Sequence, residues 1–251
     1  MKEILAIINQ KGGVGKSTTA HAIGAGLSRS SYRVLYVDLD AQGNLSYALD
    51  VKNSPTTALE MLTNTATAEQ AIQHTLQGDI IPSSPALAGA DTVITAVGKE
   101  YRLKEALAPL RKRYDYIVID TPPALGILTI NALTACTGVI IPAQADIFSL
   151  QGIGQLHSTI QTVKQYCNPS LRVKGIVLTR YNPRAILSRE VAEMIEQTAT
   201  QLNTTLYHTT IRENIAVKES QAGQHDIFTY APKSNAAADY SALINEIIGR
   251  K

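Results

Sequence analysis

The chain has 251 residues, of which 45% are apolar and 18% charged, enough for a large hydrophobic core, and α/β sheets of this length are often single domains. The formal net charge of +2 excludes a nucleic-acid role carried by bulk charge, so any such role requires a local basic patch. Cys136 and Cys167 lie far apart and outside any CxxC pair, which argues against a disulfide framework, a zinc site or a thiolate-bound cluster within one chain.

Short apolar runs rich in β-branched residues alternate with helical patterns along the chain. The predicted strands cover residues 4–8, 34–37, 117–119, 139–141 and 173–178. The predicted helices cover residues 16–29, 99–111, 126–136, 152–165, 187–201 and 235–248. This alternation predicts a doubly wound α/β fold, a mostly parallel sheet flanked by helices, with ligands at the carboxyl ends of the strands.

We expect one domain over residues 1–251. Residues 54–77 are rich in Thr, Ala and Gln but keep enough apolar positions for short helices, so we interpret them as a surface excursion. The first glycine-rich loop begins about ten residues from the start of the sequence, so we expect no N-terminal DNA-reading extension.

The N-terminal apolar run lacks the longer core and cleavage site of a signal peptide. No apolar stretch approaches the ~18 residues that a membrane span needs. We therefore expect a soluble, cytoplasmic protein.

A glycine-rich loop joins the first strand to the first helix. It consists of Lys11, Gly12, Gly13, Val14, Gly15, Lys16, Ser17 and Thr18. Glycines let the backbone point several N–H groups into one concavity, and the helix that follows adds its positive end. Lys16 would then contact the β- and γ-phosphates, and the Ser17 hydroxyl would ligate Mg²⁺. The order strand, loop, Lys-Ser, helix favours phosphate binding over an ordinary turn.

Three aspartates follow predicted strands. Asp120 ends the strand 117–119, where a carboxylate can hold Mg²⁺ or, alternatively, cap the next helix. Asp38 and Asp40 are two residues apart, so in an extended chain their side chains share one face; the alternative is a pair of solvated turn carboxylates.

The loop departs from the standard GxxxxGK[ST] pattern, because Gln10 stands where the first glycine is required. Together with the extra lysine, Lys11, it resembles the deviant Walker A box of the ParA/MinD family. Further segments resemble the family's later motifs: VDLDAQGN (37–44), YDYIVIDTPP (114–123), IPAQ (141–144) and LTRYNPR (178–184). The likeness covers nearly the whole chain and implies an ATPase with ATP and Mg²⁺ as cofactors.

The resemblance assigns roles to individual residues. Lys11 would cross to the ATP of a second subunit, so that ATP controls a homodimer and Lys11, Lys16 and Asp40 form the catalytic set. Asp40 would orient the attacking water, while Asp38 would support the Mg²⁺ shell that Ser17 and Asp120 form. Residues alone leave open that Lys11 is a solvated loop lysine.

Adenine recognition is assigned by the same resemblance to Asn182 and to the stretch around Ile211. Many family members carry proline where this chain has Arg212, which puts the local backbone there in question.

The resemblance leaves three branches of the family open: DNA partition, membrane positioning and electron transfer to a redox enzyme. The cysteines do not fall where a redox member would bind a cluster, and Cys136 is most simply a core residue. The tail from Ser241 has apolar residues at core spacing and only Arg250 and Lys251 as basic residues, which favours a packed helix over a membrane anchor.

The DNA-partition branch is favoured. It implies weak ATP hydrolysis stimulated by a ParB-type centromere-binding partner, nonspecific DNA binding by the ATP dimer and association with the nucleoid. The candidate phosphate-contacting residues are Arg180, Arg184, Arg189, Lys218 and Lys233. The alternatives are a positioning ATPase for protein cargo, a MinD-like membrane-associated ATPase and a nucleotide-dependent scaffold with little hydrolysis.

Overall fold

Eight strands form one sheet within residues 1–52 and 54–249, the part of the chain that the computed structural model describes. Asn53, Arg250 and Lys251 lie outside the described residues. The last two are the basic residues of the C-terminal tail. The strands are β1 Glu3–Ile7, β2 Val34–Asp38, β3 Gln73–Thr75, β4 Gly78–Ile81, β5 Tyr116–Asp120, β6 Gly138–Ala143, β7 Arg172–Tyr181 and β8 Ile211–Arg212. Their order is β3-β4-β2-β5-β1-β6-β7-β8, and only the β3–β4 pair is antiparallel within this region.

Helices cover both faces of the sheet. They are α1 Lys16–Arg29, α2 Asn44–Ala48, α3 Ala58–Leu62, α4 Ala68–Ala71, α5 Ala90–Val93, α6 Arg102–Leu107, α7 Ile127–Ala135, α8 Ile147–Tyr166, α9 Ile186–Gln201, α10 Ile215–Ala222, α11 Ile227–Tyr230 and α12 Asn235–Ile248. The predicted doubly wound α/β fold is confirmed.

The core divides in two because side chains of a strand alternate between faces. Ile4 and Ala6 of β1 pack into the cluster formed with α3, α4 and α6 to α9. Leu5 and Ile7 pack into the opposite cluster, formed with α1, α2 and α10 to α12. The central strands are therefore apolar on both sides, which produces the continuous apolar runs of the sequence.

Two predicted helices differ from the structure. The helix predicted over 99–111 is broken into a 3₁₀ turn, α6 and a second 3₁₀ turn that begins at Pro109, because proline supplies no N–H to continue an α-helix. The helix predicted from 152 begins at Ile147, because the Asp146 carboxylate accepts the Ser149 N–H and caps it there.

The excursion 54–77 contains the short helices α3 and α4 and also the edge strand β3, which the sequence pattern did not indicate. No helix within residues 1–52 and 54–249 is both long and apolar enough to cross a bilayer.

Candidate nucleotide site

The glycine-rich loop lies between the carboxyl end of β1 and the start of α1, as predicted. Gly13 and Gly15 have φ values of 77° and 85°, in the left-handed region that favours glycine. A Cβ placed on Gly12, Gly13 or Gly15 would meet no atom within 4 Å, so the inner surface of the loop is open. Gly15 caps α1 without a side-chain hydrogen bond, which leaves the first N–H groups of α1 available to an anion.

Lys16 lies inside this concavity rather than in solvent. Its side chain is buried, and its Nζ donates to the Lys11 carbonyl at 3.1 Å, which closes the loop around the ammonium. Burial lowers the pKa of Lys16, and the charges of Asp120 and Asp40 oppose that shift. A desolvated cation among backbone N–H groups is suited to the terminal phosphates of a nucleotide.

Asp38 and Asp120 end the neighbouring parallel strands β2 and β5 and are register partners, and both are fully buried. The Asp38 carboxylate is already engaged, because it accepts hydrogen bonds from the Ser46 N–H, the Ser46 hydroxyl and the Asp40 N–H. Burial raises the pKa of Asp38, and those hydrogen bonds oppose the shift.

Asp120 differs, because both of its carboxylate oxygens are buried without a hydrogen-bond partner. Burial and then the Asp38 charge raise its pKa well above the ordinary value, while the nearby Ser17 hydroxyl lowers it. A buried carboxylate with two unengaged oxygens fits a divalent cation. Ser17 and Asp120 are thus available to hold Mg²⁺, which would neutralise phosphate charge when bound.

An open cleft of about 510 Å³ lies over the loop. Its lining includes Gly12, Gly13, Gly15, Lys16, Ser17, Thr18, Asp40, Arg180 and Gln221. Asp40 reaches this cleft, while its Oδ1 accepts the Gln42 N–H at 3.1 Å and its carbonyl accepts the Ser83 hydroxyl. Asp40 is therefore held by these hydrogen bonds in the lining of the cleft.

The side chain of Lys11 points away from this cleft. Its ammonium is bonded to the Asp146 carboxylate and lies 3.5 Å from Gln144 Oε1, and Lys11 is not among the residues that line the cleft. The Gln144 amide also donates to the Gly13 carbonyl at 3.3 Å. Sequence reasoning did not assign Gln144 or Asp146 a role. The one sequence signal for Asp146 was its suitability as the N-cap residue of the helix that follows.

A second cavity adjoins the cleft, and the two share Gly15, Thr18, Arg180 and Gln221. It is lined by Val14, Gly15, Thr18, Thr179, Arg180, Ile211, Arg212, Glu213, Asn214, Val217, Lys218, Gln221 and Tyr240. Ile211 lies in the wall of this cavity. Asn182 does not line it, because its side chain turns back to accept the Arg184 N–H at 3.0 Å. Thr179 and Gln221, which sequence reasoning did not assign, lie in the wall instead.

Arg212, where the resemblance led us to expect proline, instead makes an ion pair. Its guanidinium and its N–H both bind Asp239, which is buried on α12. Proline could not supply that N–H. The Gln221 amide donates to the Thr18 hydroxyl at 2.7 Å, which ties α10 to the start of α1.

The predicted DNA-contacting residues do not form one cluster. Arg180 and Lys218 line the second cavity, whereas Arg184 and Arg189 are exposed around the start of α9 and Lys233 is exposed before α12. Cys136 is buried directly after α7, and burial raises the pKa of its thiol. This agrees with its interpretation as a core residue.

Comparison with known proteins gives full-length relatives. A family model described as an AAA domain matches residues 2–173. The chromosome partitioning protein ParA of Myxococcus xanthus is 38% identical over 254 residues, covering 98% of this chain and 88% of that protein. The sporulation initiation inhibitor protein Soj of Bacillus subtilis is 38% identical over 252 residues, covering 98% of both chains.

Solved structures resemble the chain over the same length. Cobyrinic acid a,c-diamide synthase from Mycobacterium smegmatis, with bound ADP and magnesium, is 35% identical with a TM-score of 0.85 and covers 98% of this chain and 93% of that one. The cell division ATPase MinD of Pyrococcus furiosus, 24% identical with a TM-score of 0.80, covers 99% of both chains and shows the shared fold.

Proposed function

The chain belongs to the ParA/Soj family of P-loop ATPases, and we propose that it is an ATP-dependent dimerising switch that binds DNA nonspecifically and segregates a plasmid or chromosome. ATP and Mg²⁺ are its cofactors. The direction of Lys11 is the observation that carries the proposal. An ammonium beside the loop that turns away from its own phosphate cleft supports a role at a nucleotide held by another subunit.

The proposed hydrolytic machinery combines residues of two chains. Lys16 and the loop N–H groups bind the phosphates, Ser17 and Asp120 hold Mg²⁺ with Asp38 behind them, and Asp40 orients the attacking water. Lys11 of the second subunit adds positive charge where the transition state becomes more negative. The dimer then lasts until hydrolysis, which a ParB-type centromere-binding partner stimulates.

The C-terminal helix supports the partition role over a membrane role. Leu243, Ile244 and Ile247 of α12 are buried in the core with α1, so this apolar face is not available to a lipid surface. The proposed DNA contacts are the exposed residues Arg184, Arg189, Lys218 and Lys233, which would bind phosphates in the ATP dimer on the nucleoid in the cytoplasm.

The test is binding of a random-sequence DNA duplex with ATP, ADP or no nucleotide, across a series of salt concentrations. We expect binding with ATP only, and a steep fall in affinity as salt rises, because counterions are released from the phosphates. Salt-insensitive binding, or equal binding with ADP, would refute the proposal. Absence of DNA binding by a demonstrated ATP dimer would indicate a positioning ATPase for protein cargo.

A further inference from the structure

Arg180 occupies the junction between the two cavities of the nucleotide site. It lines both the phosphate cleft and the second cavity, a position that it shares with Gly15, Thr18 and Gln221. A nucleotide whose terminal phosphates lie on the loop and whose base enters the second cavity must cross this junction with its ribose and α-phosphate. Arg180 therefore lies beside the middle of the ligand.

The backbone at Arg180 is strained. Its φ is 50°, in the left-handed region that is uncommon for a long side chain, and the pairing of β7 with β8 is irregular between Thr179 and Tyr181. Such strain persists where the surroundings impose it, and it is concentrated at functional sites. The preceding residue supplies that constraint, because the buried Thr179 hydroxyl donates to the Val14 carbonyl of the loop at 2.8 Å.

The charge of Arg180 is uncompensated. The two other cations of the second cavity face carboxylates, since Arg212 is bonded to Asp239 and the Lys218 ammonium lies 4.0 Å from Glu213. Within residues 1–52 and 54–249, Arg180 makes neither an ion pair nor a side-chain hydrogen bond. An arginine held over a ligand cleft without an acidic partner is suited to an anionic ligand.

We propose that Arg180 binds the α-phosphate of the nucleotide in its own subunit, rather than DNA. The inference rests on the nucleotide site of the proposed function and deepens it. Because ADP and ATP share the α-phosphate, Arg180 contributes equally to both, whereas the trans lysine Lys11 acts only in the ATP dimer. The guanidinium would close the site between the loop and α10, where Gln221 already binds Thr18.

The experiment is calorimetric titration of Mg²⁺-ADP and of a Mg²⁺-bound nonhydrolysable ATP analogue into the wild type, Arg180→Met and Arg180→Lys. The matched control is Arg172→Met, an exposed arginine at the start of β7 that lines neither cavity. We expect Arg180→Met to weaken both nucleotides about tenfold, as loss of a charged hydrogen bond does, with partial recovery in Arg180→Lys and no change in the control.

A fourth variant, Arg180→Gly, separates strain from charge, because glycine adopts the left-handed backbone freely. It should unfold at a denaturant concentration no lower than the wild type and still lose nucleotide affinity. ADP affinity within twofold of wild type in Arg180→Met, or a loss confined to DNA binding at saturating ATP, would overturn the assignment. Since ADP binding needs neither DNA nor a partner, a wild type that binds ADP but fails to bind DNA with ATP refutes the partition role alone.

Discussion

The ammonium of Lys11 and the carboxylate of Asp146 form an ion pair within one subunit, beside the phosphate loop. Asp146 also caps α8, so its position is fixed by the helix it begins. If Lys11 serves the ATP of a second subunit, this pair opens when the dimer forms. In that case the pair would couple the segment after β6 to the assembly state.

Lys11→Ala should bind Mg²⁺-ADP like the wild type and fail to dimerise with ATP, because its ammonium does not line its own cleft. Single-turnover hydrolysis should fall about a thousandfold, at the lower end of the effect of a trans cation. Sedimentation with each nucleotide measures the first effect. Lys52→Ala, which removes an exposed lysine paired with Asp50, is the control. A dimer in the Lys11 variant would contradict the trans role.

Asp146→Asn should lower the free energy of unfolding by about 0.5 kcal/mol at pH 7, because the pair is partly exposed and asparagine still caps α8. Burial raises the pKa of Asp146, but Lys11 and the Ser149 N–H lower it, and the net shift is downward. A lowered carboxyl pKa adds stability above the unfolded value of about 4 and loses it on acidification. Urea unfolding should thus show the difference vanishing towards pH 3.

Asp120→Asn should stabilise the Mg²⁺-free protein by on the order of 1 kcal/mol at pH 7.5 and abolish Mg²⁺-dependent ATP binding. The pKa of Asp120 is raised by burial and by Asp38, so its charge opposes folding above that pKa and the gain disappears near pH 4. Asp115→Asn is the control, and it should destabilise the protein instead. Hydrogen bonds from Arg33 hold the Asp115 pKa at about 2, so the ionised carboxylate stabilises the fold. A destabilised Asp120→Asn protein at pH 7.5 would contradict this account.

Gly15→Ala should cost about 1 to 2 kcal/mol of unfolding free energy, because its φ of 85° places an added Cβ against its own backbone. Gly12→Ala should cost much less, since Gly12 has no positive φ and an added Cβ there also meets no atom within 4 Å. Urea unfolding of the nucleotide-free proteins measures both. Equal stability of the two variants would show that loop conformation is not the constraint.

Arg189→Gln should weaken ATP-dependent DNA binding uniformly across sequences and reduce the slope of log affinity against log salt by about 1, as loss of one phosphate contact does. Arg172→Gln is the control. Arg172 begins β7, whereas the nucleotide loops follow the carboxyl ends of the strands. An unchanged slope in Arg189→Gln would remove this residue from the DNA surface.

The main elements of the fold were predictable because local chemistry determines them. The runs at β1, β2, β5, β6 and β7 are apolar on both faces, and a strand buried on both sides has no other composition available. Elements held only by distant partners were not predictable. The two-residue strand β8 exists because Thr179 and Tyr181 of β7 lie beside it, and no local pattern records that.

The phosphate loop could likewise be found from sequence, because its glycines, Lys16 and Ser17 are consecutive and each has a local conformational or chemical reason. The sequence by itself determined the parallel fold, the phosphate cradle and the aspartates at the strand ends. Only the tertiary structure decided that Asp38 is engaged by Ser46 while Asp120 is not, that Lys11 faces Asp146, and that Arg180 lies between the cavities. These contacts join residues that are not chain neighbours, from eight residues apart for Ser46 and Asp38 to 135 for Lys11 and Asp146. Their distance in space is set by packing rather than by local sequence.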